Sequence, residues 1–348
     1  MHLSILPLDL QLAQPFGTSH GMRTVQPTLI VKLSDAHGQF GLGEAPLTSY
    51  YGLETQSCQS ALLSFGPSLA SWQPKQLSDI EELHDLAAGL HPFLRCALDV
   101  AAHDYLGKLK GLSVSALWNA PAISGPPTSY TIGLDEPDRM FAKMRMTPWP
   151  IYKIKLGGQQ DLETIRRLRS ATDSIFLVDA NTGWSYEEAL QIIPQLAELG
   201  VEMIEQPLAA NDYEGHRQLK ERVELPIIAD ESCQNEKDLD RCAYAFDGIN
   251  IKITKAAGLL PAKAMIDRAR PLGLQVMAGC MTESSIGISA NAQLLPWLDR
   301  ADFDGAMLLA DDPAEGVRFD EKGYAIKTSQ PGIGAHLRDQ KAYIWAKS

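Results

Sequence analysis

The sequence predicts an α/β protein built as a parallel (β/α) barrel that follows a smaller α+β domain. From residue 129 onward, eight short apolar runs rich in β-branched residues succeed one another, and each ends in polar residues. Amphipathic stretches with helical spacing separate most of these runs. Strands that alternate with helices over eight units are typical of a parallel barrel.

The eight strand candidates follow one another along the second half of the chain. In order they are SYTIGL, YKIKLGG, SIFLVDAN, VEMIEQPL, LPIIADES, GINIKITK, LQVMAGC and FDGAMLL. Helical spacing appears in DLETIRRLRSA, SYEEALQIIPQLAELG and EKDLDRCAYAF. Charged residues near four strand ends confirm the period, because the steps from Asp179 to Glu205, Asp230 and Lys252 are 26, 25 and 22 residues. One strand, one helix and two loops fit each step.

The chain before the barrel has a different pattern. Residues 1–45 alternate like strands with a turn at 35–38, and residues 55–118 have helical periodicity. We therefore predict an α+β domain over residues 1–121 and the barrel over 122–312. The barrel begins with a linker rich in Pro, Gly and Ser, AISGPPTS. The tail at 313–348 has lost the repeat, and we expect it to return to the first domain.

Composition excludes several classes of protein. The 348 residues are 45% hydrophobic and 21% charged, which is typical of a folded globular chain. The net charge of −12, without a basic run, argues against nucleic acid and anionic membranes as partners. Apolar stretches fall short of the roughly 18 residues of a membrane span, and no basic signal region begins the chain. We expect a cytoplasmic protein whose five scattered cysteines are reduced thiols.

Three carboxylates lie at consecutive strand ends. Asp179, Glu205 and Asp230 would converge on one rim, where they repel each other unless a cation lies between them. Oxygen ligands without His or Cys favour a hard ion, Mg²⁺ first and Mn²⁺ or Ca²⁺ after. For each residue taken alone, the alternative is a helix N-cap.

Lysines are the second group of candidates. Lys153 and Lys155 lie two apart on the second strand and so share one face, and Lys252 lies on the sixth strand, across the barrel axis. Inward ammonium groups near each other and near a cation would have lowered pKa values, which suits a general base. The alternatives are an outward-facing pair or Schiff-base chemistry. Lys255, at or past the strand end, is a weaker candidate.

These motifs resemble one family in order and spacing. KIK at 153–155, VDAN at 178–181, IEQP at 204–207, ADES at 229–232 and NIKITKAAG at 250–258 are similar to the muconate-lactonizing branch of the enolase superfamily. GLGEA at 41–45 and RCALDVAAHDYLGK at 95–108 resemble the capping domain of that branch. The resemblance implies a (β/α)7β-type modified TIM barrel with an N-terminal α+β capping domain.

The resemblance also implies roles for the candidate residues. Asp179, Glu205 and Asp230 would bind one Mg²⁺ per subunit. Lys155 and Lys252 would be the acid/base pair, with Lys153 supporting Lys155. The chemistry shared by that superfamily is abstraction of a proton α to a carboxylate, in which Mg²⁺ stabilises the ene-diolate.

The branch contains racemases, epimerases, cycloisomerases and o-succinylbenzoate synthases, so the fold does not decide the reaction. Asp302 and Asp304 are predicted to lie on the eighth strand with both carboxylates turned the same way, an arrangement that suits an ammonium group. This pair resembles the Asp-x-Asp motif of dipeptide epimerases of the L-Ala-D/L-Glu type. MTESSIG at 281–287 is also similar to theirs, which makes Met281 a substrate-binding candidate.

We therefore expect Mg²⁺-dependent epimerisation of a dipeptide by two-base 1,1-proton transfer through an ene-diolate. An o-succinylbenzoate synthase or an N-acylamino-acid racemase is the alternative, although neither substrate has a free ammonium group for two acids to bind. The aspartates could also belong to a solvated acidic loop. A barrel that binds a metal without turnover is the alternative from a different class. The expected partner is a small dipeptide, with a homo-oligomer possible.

By the resemblance, two loops of the first domain supply side-chain specificity. One is PFGTSHGMRTVQ at 15–26, and the other surrounds Thr48–Leu53 and carries Tyr51. Arg23 would pair with an acidic side chain, as in Ala-Glu epimerases, or would cap the loop structurally. His20 stands where many such loops have Arg, and we interpret it as a loop residue. His216 is expected to lie on the surface.

Overall fold

The structure, a computed structural model, describes residues 1–18, 21–158, 160–339 and 343–348. Its strands are β1 (His2–Thr18), β2 (Gly21–Ser34), β3 (Phe40–Pro46), β4 (Tyr130–Ile132), β5 (Ile151–Lys155), β6 (Ile175–Asp179), β7 (Val201–Glu205), β8 (Ile227–Ala229), β9 (Gly248–Ile251), β10 (Gln275–Gly279), β11 (Arg300–Asp302), β12 (Ala314–Glu315), β13 (Arg318–Phe319), β14 (Ala325–Ile326), β15 (His336–Leu337) and β16 (Ala346–Lys347).

Its helices are α1 (Thr55–Phe65), α2 (Asp79–Leu86), α3 (Pro92–Lys110), α4 (Val114–Leu117), α5 (Pro137–Met146), α6 (Asp161–Arg169), α7 (Tyr186–Glu198), α8 (Tyr213–Lys220), α9 (Leu239–Ala245), α10 (Ile253–Ala256), α11 (Leu259–Ala269) and α12 (Ser285–Asn291). Short 3-10 helices include Ser49–Tyr51 and Gly305–Leu308. None of the helices in the described ranges is both long and apolar enough to cross a membrane.

An antiparallel sheet, in the order β16-β1-β2-β3, forms the N-terminal layer. Its apolar face packs on α3, and the helix comes close to β3 because Gly43 has no side chain. A Cβ placed there would lie 1.9 Å from the carbonyl oxygen of Ala97. The C-terminal strand β16 pairs with β1, so the chain end returns to this sheet. The boundaries proposed after residues 121 and 312 stay predictions.

Eight parallel strands, β4 to β11, form the barrel in sequence order. The ring is nearly closed, because Thr128 bridges Ala301 in parallel and the Ser129 N–H donates to the Ala301 carbonyl at 3.0 Å. The predicted fold class is therefore confirmed. The capping-domain sheet also binds the barrel, since the Glu44 carboxylate accepts hydrogen bonds from the N–H groups of Ser284 and Gly287 at 3.1 Å.

One strand prediction was wrong. The eighth strand is β11 at Arg300–Asp302, and the run FDGAMLL instead contains a 3-10 helix that begins at Gly305. A short apolar run does not distinguish a strand from a buried helical turn by its periodicity. The strand therefore ends sooner, and Asp304 lies beyond it.

Buried side chains from the strands fill the interior of the barrel. Leu177, Met203, Ile228 and Met277 form an apolar cluster. Towards the carboxyl ends lies a group that we call the polar layer, with one residue from each of β5, β7, β9 and β11: Lys153, Glu205, Asn250 and Asp302. All four are buried, and alternate strands contribute them, as expected for one layer of a barrel. The active-site candidates therefore rest on a packed interior.

Candidate active site

A cavity of about 440 Å³ opens at the carboxyl ends of the barrel strands. The first domain contributes Phe16, Arg23 and Tyr51 to its wall, and the barrel contributes most of the charged groups, among them Lys155 and Lys252. A concave site of this size accommodates a small organic molecule. Both parts of the chain are needed to enclose it.

Three carboxylates meet at one rim of this cavity. Asp179 ends β6, Glu205 ends β7 and Asp230 directly follows β8, and one oxygen from each lies within 4.8 Å of the others. Oε2 of Glu205 is buried and accepts no well-directed hydrogen bond from the described residues. An all-oxygen donor set with such an oxygen fits a hard divalent cation such as Mg²⁺.

The lysines point into the barrel and not outward to the helices. Lys155 Nζ donates to Asp179 Oδ2 at 2.6 Å, and Lys252 Nζ donates to Asp230 Oδ2 at 2.7 Å. Lys153 Nζ lies 2.9 Å from Asp302 Oδ2 and 3.1 Å from Asp179 Oδ2. Because β5 and β9 are the second and sixth strands of the barrel, Lys155 and Lys252 reach the cavity from opposite sides.

The charges of these groups shift their pKa values. Burial alone would raise the pKa of Asp179. The Lys155 and Lys153 ammonium groups outweigh this effect and lower the pKa to about 2. Burial and the neighbouring Asp179 raise the pKa of Glu205 to about 8. The Lys252 and Lys255 ammonium groups overcome the effect of burial and hold the pKa of Asp230 well below its ordinary value.

The expectation of lowered lysine pKa values included a bound cation and stays a prediction, but the protein groups alone shift two of these pKa values upward. Burial alone would lower the pKa of Lys153, but Asp302 and Glu205 raise it well above its ordinary value. Burial likewise opposes the rise in the pKa of Lys252, which Asp230 produces. The sequence argument counted neighbouring lysines and a cation, whereas the carboxylates of the rim are the nearest charges in the structure.

Lys255 has a different position. It is buried, it is absent from the cavity wall, and its Nζ donates to Asp230 Oδ1 and, at 3.1 Å, to the Cys233 carbonyl. These bonds tie Asp230 to the loop after β8. Lys255 therefore anchors a rim carboxylate from outside the cavity.

Asp302 and Asp304 both line the cavity. Asp302 accepts hydrogen bonds from Ser129 Oγ at 2.7 Å and Lys153 Nζ at 2.9 Å, and Asp304 accepts one from the Thr131 N–H at 2.6 Å. Burial and Asp302 raise the pKa of Asp304 to about 7. The strand-face argument was wrong for Asp304, which lies past the strand, but the loop turns its carboxylate into the same cavity.

The candidates of the first domain are also at the cavity wall. Arg23, on β2, donates to Gln26 Oε1 at 2.7 Å and Thr282 Oγ1 at 2.8 Å, and the hydrogen bonds of its side chain within the described ranges go to neutral oxygens. Tyr51 packs against Phe93 with ring centroids 5.0 Å apart. Met281, half-buried after β10, completes this side. His20 lies outside the described residues.

Sequence reasoning missed several residues of the site. Glu231 and Asn181 line the cavity, and the Asn181 Nδ2 group donates to Glu231 Oε1 at 3.2 Å. Glu231 directly follows Asp230, and Asn181 lies two residues after Asp179, so the argument from strand ends applied to both. Asn250 donates from Nδ2 to Glu205 Oε1 at 2.8 Å. Its position two residues before Lys252 predicts the same inward face.

Comparison with known proteins agrees with this architecture. The family model described as "Enolase C-terminal domain-like" matches residues 139–341. The model described as "Mandelate racemase / muconate lactonizing enzyme, N-terminal domain" matches residues 2–118. Together the two matches span most of the chain.

Individual relatives are similar over their full length. Proteins named L-Ala-D/L-amino acid epimerase from Maribacter sp. and Flavobacterium johnsoniae are 45% and 41% identical; each alignment covers 97% of this chain and 99% or 100% of the relative. The solved dipeptide epimerase of Cytophaga hutchinsonii, complexed with Mg and D-Ala-L-Val, has a TM-score of 0.92 at 26% identity and covers 100% of this chain and 99% of that one. A substrate-liganded L-Ala-D/L-Glu epimerase from Bacillus subtilis has a TM-score of 0.89 at 27% identity, covering 96% and 97%.

His216, expected on the surface, is fully buried on α8. Its Nδ1–H donates to the Asp212 carbonyl at 2.6 Å, and its Nε2 accepts from the Leu208 N–H at 3.3 Å. The surface expectation was wrong because the imidazole fills a pocket against Phe246, with ring centroids 4.4 Å apart. Burial lowers the pKa of His216 to about 4.

We expect this histidine to make the fold sensitive to mild acid. A group with a lowered folded-state pKa contributes stability that is fully present above its unfolded pKa of about 6.5 and is lost as the pH falls towards 4. From pH 7 to pH 5, His216 should lower the free energy of unfolding by about 2 kcal/mol. Urea unfolding at both pH values measures this. The drop should shrink in His216→Gln but persist in the exposed control His37→Gln; equal drops in all three proteins would contradict the assignment.

Proposed function

Because this chain belongs to the mandelate racemase and muconate lactonizing enzyme family of the enolase superfamily, we propose that it is a dipeptide epimerase. It inverts the α-carbon of the C-terminal residue of a dipeptide with the help of Mg²⁺. The observation that carries the proposal is the pair of opposed lysines, Lys155 and Lys252, beside an acid triad and facing the same cavity as Asp302 and Asp304. The names of the similar epimerases support it.

The carboxylates of Asp179, Glu205 and Asp230 would hold the ion, one per subunit. A Mg²⁺ ion bound there supplies positive charge that stabilises the ene-diolate form of the substrate. Mn²⁺ is a possible substitute, because it accepts the same oxygen ligands.

The two lysines move the proton. In one direction Lys155, as the neutral amine, accepts the α-proton from one face, and the Lys252 ammonium gives its own proton to the opposite face. In the reverse direction the two exchange roles, so the number of protons is conserved. Lys153 supports Lys155 from the same inward face of β5, where it pairs with Asp302 and Glu205 in the polar layer.

Asp302 and Asp304 would bind the α-ammonium group of the N-terminal residue. A dipeptide has this cation one residue away from its carboxylate, whereas an N-acylamino acid or the substrate of an o-succinylbenzoate synthase has none. Asp302 already pairs with Lys153 at 2.9 Å, but a charged Asp304 that faces the cavity is costly without a further cation. The free ammonium of a dipeptide therefore fits this end of the cavity better than either alternative.

The wall of the first domain would select the side chain of the substrate. Arg23, whose hydrogen bonds go to neutral oxygens in the described part of the chain, suits an acidic side chain, and Tyr51 and Met281 supply apolar surface. All five cysteines are free thiols, which suits the cytoplasm. Assembly into a homo-oligomer remains a prediction.

The first experiment tests the reaction and its metal together. L,L-dipeptides with varied C-terminal residues are incubated with the enzyme and Mg²⁺ in deuterated buffer, and NMR and mass spectrometry follow the C-terminal α-position. We expect deuterium at that position together with the L,D epimer, complete loss of both in excess chelator, and recovery with Mg²⁺.

Glu205→Gln should lose most of this activity, because it removes one charge from the ligand set. The matched control is Glu188→Gln, which changes an exposed helix cap on α7. Full epimerisation in excess chelator would refute the metal assignment. Formation of o-succinylbenzoate from its precursor without any dipeptide epimerisation would favour the synthase instead.

A second experiment tests recognition of the ammonium group. Asp304→Asn should raise KM for a dipeptide about 10-fold to 100-fold, because a hydrogen bond to a charged group contributes about 1.5–3 kcal/mol. Since the carboxylate is charged only above its pKa of about 7, wild-type KM should fall as the pH rises through 7. The N-acetylated dipeptide should lose this preference. Asp312→Asn, which changes a half-buried carboxyl beside Ser285, is the control. An unchanged KM for Asp304→Asn would refute the assignment.

A further inference from the structure

Asn250 is the one member of the polar layer whose side chain is not ionisable. Its side chain is fully buried on β9, and its Nδ2 group donates to Glu205 Oε1 at 2.8 Å. The other members are ionisable, and Lys153 Nζ lies 2.9 Å from an oxygen of both Asp302 and Glu205. An amide in such a layer donates a hydrogen bond without adding a charge.

The two oxygens of Glu205 have different surroundings. Oε1 receives hydrogen bonds from Asn250 Nδ2 at 2.8 Å and from Lys153 Nζ at 3.1 Å. Oε2 is buried 2.9 Å from Lys153 Nζ but accepts no well-directed hydrogen bond within the described part of the chain. A carboxylate anchored at one oxygen has a defined rotation. The hydrogen bond from the Asn250 amide to Oε1 therefore leaves Oε2 free to bind a cation held by the triad.

Gly279, at the end of the neighbouring strand β10, makes room for this amide. A Cβ on Gly279 would lie 2.9 Å from both Nδ2 and Oδ1 of Asn250, closer than real Cβ contacts. Gly279 is not among the glycines with a positive φ, so the backbone does not require glycine here. Gly279 therefore has no side chain because the Asn250 amide occupies the space where its Cβ would lie.

We propose that Asn250 is a positioning residue that fixes the metal-binding orientation of Glu205, and that Gly279 is glycine to leave space for it. This inference rests on the proposed function, because it assigns the cation to the triad. Asn250 lies outside the residues that line the cavity, so it acts through Glu205 and not on the substrate.

Titration of Mg²⁺ alone into the protein, followed by calorimetry, tests the proposal without any turnover. Asn250→Ala should weaken Mg²⁺ binding about 10-fold to 100-fold, the usual effect of removing a group that orients a metal ligand. Gly279→Ala should also weaken it, because the added methyl group displaces the amide. The double variant should bind no more weakly than Asn250→Ala, since the methyl group then occupies the space that the amide has left.

Asn291→Ala is the matched control. Asn291 is also fully buried, donates from Nδ2 to the Gly287 carbonyl at 2.9 Å, and has an Oδ1 atom without a hydrogen bond in the described structure. Its loss should lower the melting temperature and leave the Mg²⁺ affinity within twofold of wild type. A purely structural role for Asn250 would give this same result.

The outcomes separate the two proposals. Wild-type protein that binds no Mg²⁺ overturns the metal assignment and this inference together. Wild-type binding with an unchanged affinity in Asn250→Ala overturns only the inference. If Asn250→Ala does not fold, Gly279→Ala decides alone, and an affinity within twofold of wild type contradicts the proposal. If the losses of Mg²⁺ affinity in the two single variants add up in the double variant, the role of Gly279 is contradicted.

Discussion

The burial of several carboxylates at one rim of the barrel is the constraint on which the site depends. Unpaired charges in such a place cost several kcal/mol each, so positive charge must lie among them. Lys153, Lys155, Lys252 and Lys255 supply it, each within hydrogen-bonding distance of a rim or polar-layer carboxylate. The same pairs hold Lys155 and Lys252 on opposite sides of the cavity. Charge balance and the placement of two proton carriers therefore have one structural cause.

The N-terminal capping domain encloses the cavity at the carboxyl ends of the barrel strands. Glu44 reaches from β3 to the loop before α12, and Arg23 reaches from β2 to Thr282 in that same loop. Both contacts fix the N-terminal sheet over the carboxyl ends of the strands. The loop itself follows β10 and continues from Met281, which faces the cavity. The cavity walls from the first domain are thus joined to the loop that follows β10 of the barrel.

The strand period of the sequence accounts for which carboxylates meet at the rim of the cavity. Asp179, Glu205 and Asp230 mark strand ends, and parallel strands bring their ends to one rim. Periodicity did not predict two features that tertiary packing decides. The run after Asp302 forms a 3-10 helix and not a strand. His216 is buried because its ring packs against Phe246. The pKa directions of Lys153 and Lys252 depended on distances to carboxylates that no spacing reveals. The contact between Asn250 and Gly279 lies across two strands, and one sequence does not show such a pair.

The central claim is that Lys155 and Lys252 serve opposite faces of one α-carbon. The most direct measurement is exchange of the α-proton in deuterated buffer, with Mg²⁺, for each epimer of one dipeptide. Lys155→Ala and Lys252→Ala should both lose epimerisation, yet each should still exchange the proton of a single epimer, and the two variants should choose opposite epimers. Exchange of the same epimer by both variants, or a Lys255→Ala variant that reproduces the behaviour of Lys252→Ala, would contradict the account.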